Sequence, residues 1–237
     1  MRVAQPHPPP ATPFPPLANG DRLTREEFHR RYERMPHLKK AELIEGVVYM
    51  PSPVRVTHHG QPHAHLTIWL GHYVALTPGV GPIGDNSTVR LDEDNEVQPD
   101  LFLLLPPSAG GAAEADADGY ISGPPDLVCE VAASSVSIDL HDKKNAYRRN
   151  RVREYLVWRV EDAEVDWFAL RNGDYEKLRG GSNGHPLLKS EAFPGLWLDV
   201  PALLRGDLPA LLAAVDRGAA SSQHAAFLRR LRKPRKR

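Results

Sequence analysis

Apolar positions along the chain follow two rhythms. Over residues 58–77 they recur at three-and-four spacing, with Leu66, Trp69, Leu70, Tyr73 and Leu76 on one stripe. That spacing predicts an amphipathic helix, closed by Pro78-Gly79. Elsewhere the apolar residues form short runs. Residues 101–105, opened by Asp100, are continuously apolar, and residues 126–131 read Asp-Leu-Val-Cys-Glu-Val. Both runs suit strands buried on two faces. Residues 154–160 and 164–170 predict two further strands, and Asn172-Gly173 turns the chain into a strand over 175–178. Residues 41–50 predict a hairpin, with Leu43-Ile44 and Val47-Val48-Tyr49 as arms around Glu45-Gly46 and with Pro51 and Pro53 as stops. A strand over 88–91 precedes the acidic turn Asp92-Glu93-Asp94-Asn95.

Polar punctuation supplies the remaining elements. Thr24-Arg25-Glu26-Glu27 has the form of a capping box and predicts a helix to about Met35, where Pro36 intervenes. Ser134-Ser135-Val136-Ser137 suits the start of a helix over about 138–150, and residues 203–215 are helical in part. Residues 107–119, rich in Ala, Gly and Asp, predict a surface loop. The order helix, hairpin, helix, strands, helix, strands predicts one α/β (α+β) domain, with a mixed central sheet flanked by helices. Residues 1–22 are expected to be a disordered, Pro-rich leader, since the first twenty hold seven of the 23 prolines. Residues 23–205 are then the folded domain, and 206–237 a helical extension with a basic tail.

Composition narrows the class. Apolar residues make up 41% and charged residues 25% of the 237 positions, as in a globular domain. No segment reaches the roughly 20 apolar residues of a membrane helix, and no apolar signal-peptide core opens the chain. The single cysteine, Cys129, excludes an intrachain disulfide and a Cys-based zinc site. A cytoplasmic protein is expected. Lys and Arg balance Asp and Glu at 30 each, yet the balance is uneven along the chain. From Arg229 onward seven residues are basic and none acidic, which leaves 23 basic against 30 acidic residues in the rest. Such a tail is either a solvated end or a flexible arm for nucleic-acid phosphates.

Candidate chemistry comes from charges in otherwise apolar strands. Asp100 follows Pro99 at the head of one run, Glu130 interrupts another, and Lys143 lies on the next predicted helix. A buried carboxylate is costly unless something neutralises it, and a divalent cation does so efficiently. Each residue also has an ordinary reading: a turn aspartate, a solvent-facing glutamate, and a surface lysine paired with Asp139 at i,i+4. Cys129 is expected on the strand face opposite Glu130. Trp69, Trp158, Trp167 and Trp197 are expected to pack in the core.

Five pieces in order resemble the Uma-type family of putative restriction endonucleases, in the PD-(D/E)XK nuclease superfamily. They are Glu42-Leu43-Ile44-Glu45-Gly46, Pro99-Asp100-Leu101, residues 125–131, Asp139-x-x-x-Lys143-x-x-x-Tyr147 and Val152-Arg153-Glu154-Tyr155. The resemblance implies a restriction-endonuclease-like fold and a Mg²⁺- or Mn²⁺-dependent endonuclease acting on DNA. Asp100 and Glu130 match the family's acids on consecutive core strands, with the Val131 carbonyl as a further metal ligand. The superfamily's usual lysine position is Ala132 here. Lys143 matches the family's helical lysine, with Lys144 as runner-up. Glu42 matches an upstream glutamate, with Glu45 as second candidate. By analogy a homodimer is expected.

Three rival readings compete with this one. His58, His59, His63 and His65 invite zinc, and His59 and His63 could share a helix face, but no His-Glu-x-x-His pattern is present; one or two of them could instead touch DNA phosphate. Ser134, Ser135 and Ser137 with His141 lack a Gly-x-Ser-x-Gly elbow and suit helix capping. A catalytically inactive nuclease-like module that binds nucleic acid or protein is the non-enzyme rival.

Overall fold

A computed structural model describes residues 14–50, 55–133, 135–180 and 186–232. The first half of the expected leader, the Pro51 and Pro53 stops, Ser134, and the tail from Lys233 onward lie outside the described residues.

The first helix, α1 (Arg25–Tyr32), starts where the capping box predicts, with the Thr24 hydroxyl accepting from the Glu27 amide. Only half of the box forms. The Glu27 carboxylate accepts from Arg30 and Arg31 instead of reaching back. Strands β1 (Glu42–Ile44) and β2 (Val47–Tyr49) make the expected hairpin. Its two turn residues, Glu45 and Gly46, have φ of 51° and 73°, as a type I′ turn requires. A π-wound turn (Val56–Gly60) leads into α2 (Gln61–Leu76), whose Leu66, Trp69, Leu70 and Tyr73 are fully buried.

The chain then runs through β3 (Ile83–Asp85), β4 (Val89–Asp92), β5 (Asn95–Val97), β6 (Leu101–Leu103), β7 (Glu114–Ala115), β8 (Ile121–Ser122) and β9 (Leu127–Ala132). A short α3 (Val136–Ile138), a π-turn (Asp139–Lys143) and α4 (Lys144–Arg149) follow. Next come β10 (Glu154–Arg159), β11 (Glu164–Arg171), β12 (Asp174–Lys177), β13 (Leu187–Lys189) and β14 (Trp197–Asp199). Three helices close the chain: α5 (Val200–Arg205), α6 (Leu208–Ala219) and α7 (Ser222–Leu231).

The expected mixed sheet has six strands in the order β12-β11-β10-β9-β6-β3, with β9 and β10 parallel and the other neighbours antiparallel. A second six-stranded sheet, β2-β1-β5-β4-β8-β7, stands beside it. The sequence pattern predicts the hairpin and β4 of this sheet but not β5, β7 and β8, which are two or three residues long and partly polar.

Alternation along β6, β9 and β10 sends side chains to two cores. Leu101, Leu103, Leu127, Cys129, Val131, Leu156 and Trp158 pack with α2 and the C-terminal helices. Phe102, Val128, Ala132, Tyr155 and Val157 pack with Tyr147 of α4 and with Ile44, Val89 and Val97 of the second sheet. Burial on both faces is why these strands read as unbroken apolar runs. Cys129 points away from the face that carries Glu130, as expected.

Both ends of the domain depart from expectation. Leu17 is buried against Phe28, Leu43 and Val48, and the backbone of residues 20–23 hydrogen-bonds the hairpin, so packed structure begins before Thr24. The C-terminal extension is helical, as expected, but it packs into the main core rather than standing apart from the domain. Leu211, Ala214, Val215 and Phe227 are buried, and His224 reaches the Thr77 hydroxyl at 3.0 Å. Arg229, Arg230 and Arg232 remain exposed on or just beyond α7. No helix among the described residues is long and apolar enough to cross a membrane.

Candidate active site

Strand pairing brings the two acids together. β6 and β9 are antiparallel with Leu101 opposite Cys129, which sets Asp100 opposite Glu130 one step further along. Both residues then share the parity of Phe102 and Val128, so their side chains lie on the same face of the sheet. The contacts agree: the Asp100 amide donates to Glu130 Oε2 at 3.3 Å, and the Val131 amide donates to Asp100 Oδ2 at 2.9 Å.

Lys143 reaches this pair from the π-turn. Its Nζ lies 2.9 Å from Glu130 Oε1, 3.0 Å from Glu42 Oε1 and 3.8 Å from Asp139 Oδ1. The Tyr147 hydroxyl donates to the same Glu130 oxygen at 3.0 Å. Glu42 is itself held in place by the Gln98 amide at 2.8 Å. The i,i+4 pair of Asp139 and Lys143 exists, but inside the site and not on the surface. The two alternative residues lie outside this cluster. Lys144 turns away, its Nζ over the Phe168 ring, and Glu45 pairs with Arg149 at the hairpin turn.

Lys143 Nζ donates to Glu130 and stands at ion-pair distance from Glu42 and Asp139, and all four side chains are buried. Its charge is spent on holding Glu130, Glu42 and Asp139 together.

Other site residues escaped the motif reading. Lys40, from the segment before β1, places Nζ 3.4 Å from Asp100 Oδ1 and 3.1 Å from Asn86 Oδ1. His59 Nε2 lies 3.1 Å from Asp100 Oδ2, and His63 Nε2 lies 3.2 Å from both the Asp100 carbonyl and Asp85 Oδ1. The two rings stack with centroids 5.8 Å apart, so the four-residue spacing does put them on one face. That face looks onto Asp100. His58 contacts Thr57, and His65 lies beside Gly206. Among the described residues the serine reading finds no partner set: Ser135 donates to Asp139, and His141 is exposed.

Electrostatics separate the two acids. Burial opposes the charge on Asp100, but the bond to His59 and the nearby charges of Lys40, His59 and Lys143 outweigh it and hold its pKa well below the usual carboxylate range. Burial pushes the Glu130 carboxyl up; Lys143 pulls it down, but Asp100, Asp139 and Glu42 add to the rise. Burial also opposes the charge on Lys143, and Glu130, Glu42 and Asp139 more than restore it.

Among the described residues no group of three or more His, Cys, Asp or Glu side chains is disposed as a ready metal cage. The donor chemistry nonetheless fits a divalent cation. Glu42, Asp100, Glu130 and Asp139 are each 5% exposed or less, and among the described residues two ammonium groups, Lys143 and Lys40, face them. The carboxyl groups outnumber the ammonium groups, and their oxygens are hard ligands of the kind Mg²⁺ prefers. A third oxygen is near. Ala132 directs its carbonyl toward β10, so Val131 directs its amide and carbonyl toward the β6 edge, where the amide already meets Asp100.

Comparison with known proteins places the chain and its fold. The model of the Uma2 family, described as "Putative restriction endonuclease", matches residues 25–201. The fold is similar to the crystal structure of a putative nuclease belonging to DUF820 from Anabaena variabilis ATCC 29413. The TM-score is 0.56 at 14% identity, covering 74% of this chain and 96% of that one. No curated protein matches.

Proposed function

We propose that this chain, which belongs to the Uma2 family of restriction-endonuclease-like proteins, is a divalent-cation-dependent endonuclease that hydrolyses phosphodiester bonds in DNA. The observation that carries the reading is the meeting of Asp100 and Glu130 on one sheet face, with Lys143 at 2.9 Å from Glu130. Three residues separated by 43 positions of chain have no packing reason to bring this much charge into the interior.

Asp100, Glu130 and the Val131 carbonyl would hold Mg²⁺ or Mn²⁺. When bound there, such a cation supplies Lewis acidity toward the phosphoryl group and a more acidic water. The protein's own residues do the rest. Tyr147 and Lys143 both bind Glu130 Oε1, which leaves Oε2 turned toward Asp100. Glu42, fixed by the Gln98 amide, braces Lys143 from the far side. The Val131 amide and His59 fix the Asp100 carboxylate in one orientation. Packing from Phe102, Val128 and Tyr147 keeps bulk water from the inner half of the site, where charges interact more strongly.

The test is cleavage of supercoiled plasmid DNA with and without Mg²⁺, by wild type and Glu130→Ala purified in parallel. Divalent-dependent nicking by wild type alone is expected. Equal cleavage by both proteins would trace the activity to a contaminant and remove the reading.

A further inference from the structure

The two lysines of the site are placed very differently. Lys143 has 5% of its side chain exposed, donates to Glu130 at 2.9 Å, and stands 3.0 Å from Glu42 and 3.8 Å from Asp139. To meet a substrate it would have to abandon buried carboxylates, which strongly destabilises a folded protein. Lys40 arrives from the opposite side. A quarter of its side chain is exposed, and its two contacts, Asp100 Oδ1 at 3.4 Å and Asn86 Oδ1 at 3.1 Å, are long or neutral. Asn86 itself is exposed, and His59, with 20% of its side chain accessible, stands at the other oxygen of Asp100. The outer rim of the site is therefore built from Lys40, Asn86 and His59. Releasing Lys40 leaves Asp100 still held by the Val131 amide and His59.

Resting on the nuclease reading above, we propose that Lys40 is the lysine that touches the substrate. Its ammonium leaves Asp100 to bind a non-bridging oxygen of the scissile DNA phosphodiester, while Lys143 stays with the inner carboxylates. A flexible stem with a compact charge suits such an exchange of partners. The exchange also frees an Asp100 oxygen as the substrate arrives.

The test separates substrate contact from scaffolding. Plasmid DNA binding is measured by mobility shift in Ca²⁺, Mn²⁺ affinity by calorimetry without DNA, and Tm by melting, for wild type, Lys40→Met, Lys40→Arg and Lys143→Met. Lys40→Met should weaken DNA binding about 10- to 100-fold, the size of one lost charge-assisted contact. Its Mn²⁺ affinity should stay equal or rise, because a competing cation is gone, and its Tm should hold. Lys40→Arg should recover part of the DNA binding. Lys143→Met should chiefly lower Tm. If wild type binds and cuts DNA while Lys40→Met binds it equally well, the role of Lys40 is wrong and the nuclease reading stands. Loss of Mn²⁺ affinity and Tm in Lys40→Met would make it a scaffold residue and also overturn the inference. A wild type that neither binds nor cuts DNA would overturn both.

Discussion

Two buried glutamates on neighbouring strands make an instructive pair. Glu130 on β9 and Glu154 on β10 are 2% and 1% exposed, and the strands are parallel, with Glu130 beside Val157 and Glu154 beside Leu127. Their parity puts them on opposite faces of the sheet. Glu154 is closed by neutral donors alone: the Ser190 hydroxyl and the Glu191 and Ala192 amides, which fix the 190–192 turn against the sheet. Glu130 instead shares its space with three other carboxylates, a lysine and a tyrosine, beneath a partly open rim. Burial of an acid is common to both. Crowding of like charge is peculiar to one, and that excess is what a cation site requires and a structural tie does not.

The comparison breaks most sharply at the acids of the site. Asp100→Ala or Glu130→Ala should lower cleavage by about a thousandfold, since the Lewis acid goes with either ligand. The double variant should lose little more than either single one, because the two act as a unit. Near-multiplicative losses in single-turnover assays would argue against a shared cation.

Next in size is Lys143→Met. Removing the one cation among Glu130, Glu42 and Asp139 leaves uncompensated buried charge and should cost about 3–5 kcal/mol in urea denaturation. The burial of all four groups sets that scale. A cost near that of a surface lysine would mean the cluster relaxes without it.

Glu154 offers a pH test on the other side of the comparison. Burial pushes its carboxyl up to about 7, against the pull of its three donors. The folded state therefore binds the proton more tightly than the unfolded chain. The associated stability is full below the unfolded value of about 4.5 and is lost as pH rises through about 7. Glu154→Gln should match wild type near pH 4.5 and become the more stable protein at pH 8, by up to about 3 kcal/mol. A variant less stable at every pH would show that the three donors keep Glu154 ionised.

The smallest effect belongs to the first helix. Thr24→Ala removes the hydroxyl that caps α1 and should cost about 1 kcal/mol while leaving cleavage unchanged. An equal loss of cleavage would tie α1 to the site.

Legibility followed the strength of local signals. The hairpin was readable because Glu45-Gly46 separates two apolar arms, and β9 because Val128, Cys129 and Val131 fill both faces around Glu130. The remaining strands of the second sheet were not, since Asn95-Glu96-Val97 and Glu114-Ala115 carry too few apolar residues to show a period; their pairing comes from tertiary context. The helices after Leu203 were only partly readable, although Asp207 and Ser221 do cap them. Asp100, Glu130, Lys143 and Glu42 were legible as a motif, but not the direction in which Lys143 points. Lys40 carried no signal at all, because a lysine in a polar connection is ordinary until the fold sets it beside Asp100. His59 and His63 had the right spacing, and only their partner was unforeseen.

The account rests on Asp100 and Glu130 forming one cation site, and thermal melting with Mn²⁺ tests that without reference to activity. Wild type at about 100 times the dissociation constant should melt about 5–10 °C higher than without the cation, and Asp100→Ala should not shift. An equal rise in both proteins, or none in wild type, would contradict it.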